Sequence, residues 1–285
     1  MRLIVIGATG YIGAALMRSA VNDFAVVGTS SRPQRELLRL DLNAADDFGY
    51  LDLGTDDCIC LTAAISSPDV CAREHERAWA LNVTATSHFI ARALDRGARV
   101  MFFSSDTVYG ECVSPFDESA PIAPAGEYAA MKAAVERSFQ GHAGFKAIRL
   151  SYVFSNDDKF TRYLRGCAER GETADVFDPF LRSIIHREDV LAGIAALARR
   201  WQEVPGQTVN FGGPELVSRV EFAQALQLAL PGLTYKVTKP GPEFFVARPR
   251  AIHMTSPWLV TLLGRPLTCF RDAVSIEFPN KEPQK

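Results

Sequence analysis

Arg2-Leu-Ile-Val-Ile-Gly7-Ala-Thr-Gly10-Tyr-Ile-Gly13 opens the chain, and Ala14-Ala-Leu-Met-Arg18 carries on from it. An apolar run of strand length that ends in three glycines and enters a helical stretch predicts a strand–turn–helix unit. Gly7 permits the tight turn, Gly10 lets the backbone approach a pyrophosphate, and Gly13 lets helix and strand pack closely. The phosphate charge then rests on the helix N-terminus, and Thr9, Tyr11 and Ile12 between the glycines are counted with the cofactor-binding residues. The spacing is GxxGxxG, not GxGxxG. Taken alone, such a turn is a modest signal, and the residues downstream decide.

The 285 residues suffice for one large α/β unit or a large domain with a smaller companion. With 47% apolar and 22% charged residues the composition is that of a globular protein. Thirty-one Lys and Arg against 33 Asp and Glu give no electrostatic case for nucleic acid or an anionic membrane as partner. No apolar stretch reaches membrane-spanning length, and the opening strand lacks the layout of a signal peptide, so a cytoplasmic location is expected. Six cysteines show no metal-ligand spacing, and no metal is expected. Cys58 and Cys60 alternate with Ile59, which places both on one packed side of a strand as reduced thiols.

Five further strands are expected, at Ala25–Thr29, Leu37–Asp41, Asp57–Leu61, Arg99–Phe103 and Lys146–Leu150. At the end of the second, where an NAD enzyme carries an acidic residue, stand Ser30, Ser31 and Arg32. A carboxylate would repel a 2′-phosphate, whereas hydroxyls and a guanidinium would bind it; this predicts NADP, with NAD as the other possibility, and Arg32 as the phosphate ligand. Arg35 and Arg39 compete for that role. Asp41 is expected near an adenine amino group, beside Leu42, and the small Thr62, Ala63 and Ala64 leave room for the cofactor at a carboxyl strand edge.

A long helix is expected over Val70–Leu94, with Trp79, Val83, Phe89 and Ile90 as apolar points. Asn82 inside it must find hydrogen bonds, as a structural tie to a strand or as part of a proton relay. Ser114–Gly126 reads as a loop and leads to Tyr128-Ala-Ala-Met-Lys132 at a helix start. Positions i and i+4 share a helical face, so an ammonium stands near a phenol. Such a cation lowers the phenol pKa from about 10 and fits it for acid–base work near neutrality.

The ordered set of GxxGxxG, a helix asparagine, a serine at a strand end and YxxxK resembles the extended short-chain dehydrogenase/reductase superfamily, in the branch that modifies nucleotide sugars. Ser104-Ser-Asp-Thr-Val-Tyr-Gly110, Arg149-Leu-Ser-Tyr-Val-Phe154 and Phe211-Gly-Gly-Pro-Glu-Leu-Val-Ser-Arg-Val-Glu-Phe-Ala223 are similar to segments of dTDP-4-dehydrorhamnose reductases, as are Arg248-Pro249 and Leu262-Leu-Gly264. The resemblance implies a Rossmann-type doubly wound parallel sheet over 1–155 and a smaller substrate lobe over 156–285. A strand near 207–212 would return to the sheet. It implies catalytic roles for Ser105, Tyr128, Lys132 and Asn82, cofactor contacts from Tyr128, Lys132 and Tyr152, and a nucleotide-sugar substrate held by Ser105, Asp106, Thr107, Arg182 and Arg248. Arg182 and Arg248 are diphosphate candidates on family-like placement only. Thr107 stands where related 4,6-dehydratases carry a catalytic glutamate, which sets that reaction aside. The implied reaction is reduction of a 4-keto (deoxy) nucleotide sugar by NADPH. A nucleotide-sugar epimerase and a cofactor-binding regulatory subunit remain as alternatives. Many members are dimers, and a homodimer is expected on that ground alone.

In the second half, Lys159–Gly171 reads as an amphipathic helix with Phe160, Tyr163, Leu164 and Cys167 inward. Asp189 is expected to cap the helix that runs to Trp201, Ser218 and Glu221 form a capping box, and Ser256-Pro257 starts a helix that Gly264 stops. His186 reads as a hydrogen-bonded core histidine, and Asn280–Lys285 as a frayed tail.

Overall fold

The computed structural model describes residues 1–279. Seven parallel strands form the central sheet in the spatial order Thr208–Phe211, Phe145–Leu150, Arg99–Ser105, Asp57–Leu61, Arg2–Ile6, Ala25–Ser30 and Leu38–Arg39. The six strands expected in the first half are all present, and the order reverses between Arg2–Ile6 and Asp57–Leu61. Ligands bind outside the carboxyl strand ends at such a reversal. Arg2 and Asp57 hold these two central strands together at the amino end through two hydrogen bonds of 2.8 Å.

Buried side chains alternate to the two faces of the sheet, as a fully covered parallel sheet requires. One face takes Leu3, Val5, Cys58, Cys60 and Met101 against Leu16, Ile194, Leu197 and Leu259 of the helices Tyr11–Ser19, Arg187–Arg199 and Pro257–Leu263. The other takes Ile4, Ile59, Phe102 and Phe145 against Phe89, Ile90 and Val135 of Thr86–Asp95 and Glu127–Ser138. Cys58 and Cys60 share one core, as their alternation predicts. The last strand closes the edge beside Phe145–Leu150, where Lys146 Nζ donates to the carbonyls of Val204 and Gly206 at 2.6 and 2.7 Å.

A separate core, built on Phe154, Leu164, Val176, Phe222, Leu226 and Phe270, lies under the helices Lys159–Arg170, Arg219–Gln227 and Phe270–Glu277. The capping box is present: Ser218 Oγ accepts from Glu221 N, and the Glu221 carboxylate accepts from Ser218 N. Gly264 ends its helix in the left-handed conformation. His186 is buried against Glu277, 3.0 Å from its carboxylate.

Several expectations need correction. The helix over 70–94 is three pieces, Pro68–Arg73, His75–Trp79 and Thr86–Asp95, broken at Glu74 and joined by a π-helical turn at Ala80–Ala85. Trp79 is 37% exposed rather than inward, with its ring tilted against that of His75 at 5.6 Å between centres. Tyr163 is also exposed, because its hydroxyl swings out to accept from Asp175 N at 2.7 Å. Asp189 does not cap; it lies in the first turn and accepts from Arg265 Nη2 and Thr268 N. The first residues of the expected loop, Ser114–Phe116, belong instead to a strand, Cys112–Phe116, that pairs with Ala251–Met254, a partner too distant in sequence to be foreseen locally. The tail Asn280–Lys285 lies outside the described residues.

Candidate functional site

At the carboxyl edge of the sheet lies a cavity of about 930 Å³. The glycine loop forms its floor. Gly7 has φ +91°, and a Cβ there would meet Ala63 N at 2.9 Å; a Cβ on Gly13 would fall 2.2 Å from Gly7 O. Both positions therefore demand glycine. Gly10 precedes the helix with no side-chain cap, so the first-turn N–H groups have no side-chain acceptor where Thr9, Gly10, Tyr11, Ile12 and Gly13 line the cavity. Thr62 Oγ1 donates to Ile6 O at 2.9 Å and draws Thr62, Ala63 and Ala64 into the wall. Ser31, Asp41 and Leu42 line the outer end, and Asp41 accepts from Asn43 N at 3.0 Å. Uncapped amides, no room for a Cβ and small walls are what a dinucleotide pyrophosphate and its nucleosides need, and these residues fit that group. Arg32 is exposed and does not line the cavity; its backbone N–H donates to Ser30 Oγ at 3.2 Å.

Across the cavity stand Ser105, Tyr128 and Lys132, all on its wall. Ser105 ends its strand and caps the short helix Asp106–Tyr109 by accepting from Thr107 N at 3.2 Å. Thr107 Oγ1 lies 2.9 Å from Ser105 Oγ, and Asp106 accepts from Ser105 Oγ at 3.2 Å and from Ser151 Oγ at 3.0 Å. Thr107 does not line the cavity, so it orients Ser105 from behind.

Lys132 is 3% exposed and its ammonium lies 4.5 Å from the centre of the Phe102 ring. Burial pulls it down to about 8. The expected lowering of the Tyr128 pKa is not what the folded chain alone gives. Burial pushes the phenol up, since Lys132 faces the ring at 5.6 Å and donates no hydrogen bond to the oxygen. The phenol is thus held protonated at neutral pH.

Asn82 does not reach the cavity. Its Oδ1 accepts from Ile65 N and its Nδ2 donates to Ile65 O, both at 2.9 Å, so its amide fixes the segment after the fourth strand. The π-helical turn sets that amide toward the strand end, which 3.6-residue periodicity does not foresee.

The two diphosphate candidates are otherwise engaged. Arg182 lines the cavity, but its Nη1 and Nη2 donate to Leu181 O and Pro249 O, and its Nε stands 3.5 Å from buried Asp106. Arg248 is off the wall, paired with Asp69 at 2.5 Å. Tyr152 does line it, with its hydroxyl donating to Asp158 at 2.5 Å. Residues not foreseen on the wall include Lys159, Phe180 and Arg219. The Ser218–Glu221 capping box was the available signal for Arg219, since it fixes that residue at the first helical position.

Residues 1–274 match the family model described as RmlD substrate binding domain. The chain belongs to that family. The RmlD family chain thereby falls in the extended short-chain dehydrogenase/reductase group. Among curated proteins it is 26% identical over 276 residues to methionine adenosyltransferase 2 subunit beta of Pongo abelii, covering 92% of this chain and 82% of that one. The Xenopus tropicalis protein of the same name is 28% identical over 165 residues, 56% of this chain, and the match spans about half, 49%, of its length. The dTDP-4-dehydrorhamnose reductase of Shigella flexneri is 28% identical over 194 residues, 63% of this chain and 61% of that one. A solved structure of a hypothetical dTDP-4-dehydrorhamnose reductase from Sulfolobus tokodaii superposes with a TM-score of 0.82 at 22% identity, over 96% of this chain and 99% of that one. The fold is shared as well with MoeE5 in complex with UDP-glucose and NAD, with a TM-score of 0.81 at 23% identity over 98% and 97%.

Proposed function

We propose that this RmlD family chain is an NADPH-dependent reductase of a 4-keto (deoxy) nucleotide sugar. One observation carries the reading: Ser105, Tyr128 and Lys132 share a wall of the cavity whose floor is the glycine loop. The shared family with dTDP-4-dehydrorhamnose reductases supports the substrate class.

A bound nicotinamide supplies the hydride. Tyr128, protonated in the folded chain, donates its proton to the oxygen of the reduced ketone. Ser105 turns its one hydroxyl proton from Asp106 to that oxygen as charge develops, while Thr107 Oγ1 donates to Ser105 Oγ and holds it in place. Lys132 places a cation behind the phenol and stabilises the phenolate left after proton transfer. Ser31 and Arg32, which follow the second strand where an acidic residue would repel it, favour the 2′-phosphate of NADPH.

The test is NADPH consumption by the purified protein with a panel of nucleotide-4-keto-6-deoxy sugars. Stoichiometric oxidation with one of them is expected. No oxidation with any, despite NADPH binding, would sink the reductase reading. A second reading, a cofactor-binding regulatory subunit, is favoured by the likeness over 92% of the chain to a protein named as a subunit. A stable complex with an unrelated enzyme, together with no turnover, would establish it.

A further inference from the structure

Three arginines stand in or near the substrate end of the cavity, and they differ in what they have left to offer. Arg182 spends both terminal nitrogens on carbonyls and faces Asp106 with the third. Arg248 is paired with Asp69. Arg219 lines the cavity, and among the described residues no carboxylate lies within ion-pairing distance of it. Its Nη1 is covered from solvent and has no hydrogen-bond partner.

Aromatic rings hold that guanidinium in place. Its carbon lies 4.2 Å from the centre of the Tyr152 ring and 4.1 Å from that of Phe160, with Phe180 and Phe222 at 5.5 and 5.7 Å. Tyr152 is itself anchored by its bond to Asp158, and Arg219 N donates to Phe180 O at 3.0 Å. Cation–π contacts orient a guanidinium but supply no acceptor for its N–H groups. A guanidinium nitrogen covered from solvent and left without an acceptor, as Nη1 is, is costly unless something brings the anion. Arg182 sits on Phe180 as well, 4.3 Å from its centre, so one ring is shared by two cations, with Asp106 the carboxylate beside Arg182. Exposed Lys159 adds a third positive group to that part of the wall.

We infer that Arg219, not Arg182 or Arg248, is the residue that recognises an anion in this cavity, and that the anion is the phosphate ester or diphosphate of the second ligand. The inference rests on the nucleotide-sugar reading for the identity of that ligand. The planar fork of Arg219, packed on the Tyr152 and Phe160 rings, carries the N–H donors that pair two phosphate oxygens once a small shift of the side chain uncovers Nη1. Arg182 is the scaffold beside it: its bonds to Leu181 O and Pro249 O tie two strand ends together, and the like charge it brings is matched by Asp106.

Titration calorimetry with dTDP, UDP and inorganic pyrophosphate, in saturating NADPH so that the glycine loop is filled, tests this. For Arg219→Gln the nucleoside diphosphate Kd should rise at least tenfold while the NADPH Kd stays constant. Arg219→Lys should recover part of the loss, because it restores the charge without the fork. With a turned-over substrate, KM should rise with kcat held within a few fold. Equal nucleotide affinity in wild type and Arg219→Gln would overturn the inference and leave the nucleotide-sugar reading standing. No binding of any of the three probes to the wild type would overturn both. Arg219-dependent pyrophosphate binding in a protein that oxidises no NADPH would keep the anion site and remove the reductase.

Discussion

The Lys132 ammonium stands over the face of the Tyr128 ring, 5.6 Å from its centre, and makes no hydrogen bond to the phenol oxygen. The four-residue spacing delivers the pair to one face of the helix, but burial governs both groups: the phenol goes up and the ammonium comes down to about 8. In the folded chain alone the tyrosine is therefore protonated at neutral pH, the state that the proposed reduction uses.

Replacing the phenol tests that role. Tyr128→Phe should lower turnover by roughly 10²–10⁴-fold, the usual contribution of a positioned acid. NADPH affinity should not move. Near-wild-type turnover in a stopped-flow or steady-state assay would remove the tyrosine from the mechanism.

The ammonium carries a stability cost whose pH dependence has a definite sign. Because the folded-state pKa of Lys132 lies near 8, below its ordinary value of about 10.5, the unfolded chain binds more protons between those values. Stability contributed by this group accordingly rises with pH through that window. Lys132→Met should raise Tm at pH 7, raise it less at pH 10, and abolish turnover. A lower Tm than wild type at pH 7 would show that its ring contacts outweigh burial.

Arg182 is expected to be a stability residue first. Arg182→Met strands the carbonyls of Leu181 and Pro249 and leaves Asp106 buried without its cation. A loss on the order of 3 kcal/mol follows for one partner removed from a buried pair, read as a lower urea midpoint. An unchanged midpoint would mean that Asp106 is satisfied by Ser105 and Ser151 alone.

Arg32 follows Ser31, which lines the outer end of the cavity, and is exposed. If it closes on a 2′-phosphate, Arg32→Ala should reduce the NADPH-to-NADH affinity ratio about tenfold, the value of one charge-assisted contact. A ratio equal to that of wild type would transfer the role to Arg35 or Arg39.

Much of this was readable in the residues because it is local chemistry. Glycines at 7, 10 and 13, an alternating Cys58–Cys60 and a Tyr128–Lys132 spacing each report on one turn or one face. The seven-stranded sheet follows from repeating that reasoning. What escaped depends on partners distant in sequence. Asn82 was legible as a tie or a relay, but the choice between them was not: it ties Ile65 through a π-helical turn, a departure from the period on which helix reading relies. The strand Cys112–Phe116 exists because Ala251–Met254 lies beside it. Arg182 and Arg248 carry the charge expected of a phosphate ligand, but Pro249, Asp106 and Asp69 claim them first, and sequence gives no account of who spends a side chain.

The edge strand Thr208–Phe211 has a consequence for how the chain is made. Synthesis delivers Phe145–Leu150 about sixty residues before its neighbour exists, along with a Lys146 ammonium whose acceptors, Val204 and Gly206, are still to come. Until then the nascent sheet carries an open, apolar edge of the sort that pairs with other chains. A fragment ending near residue 155 should on this account be captured by chaperones or aggregate, whereas one extended past Phe211 should not. The carboxyl-terminal half thus finishes the layer that holds the cavity, and the timing of translation places that step late.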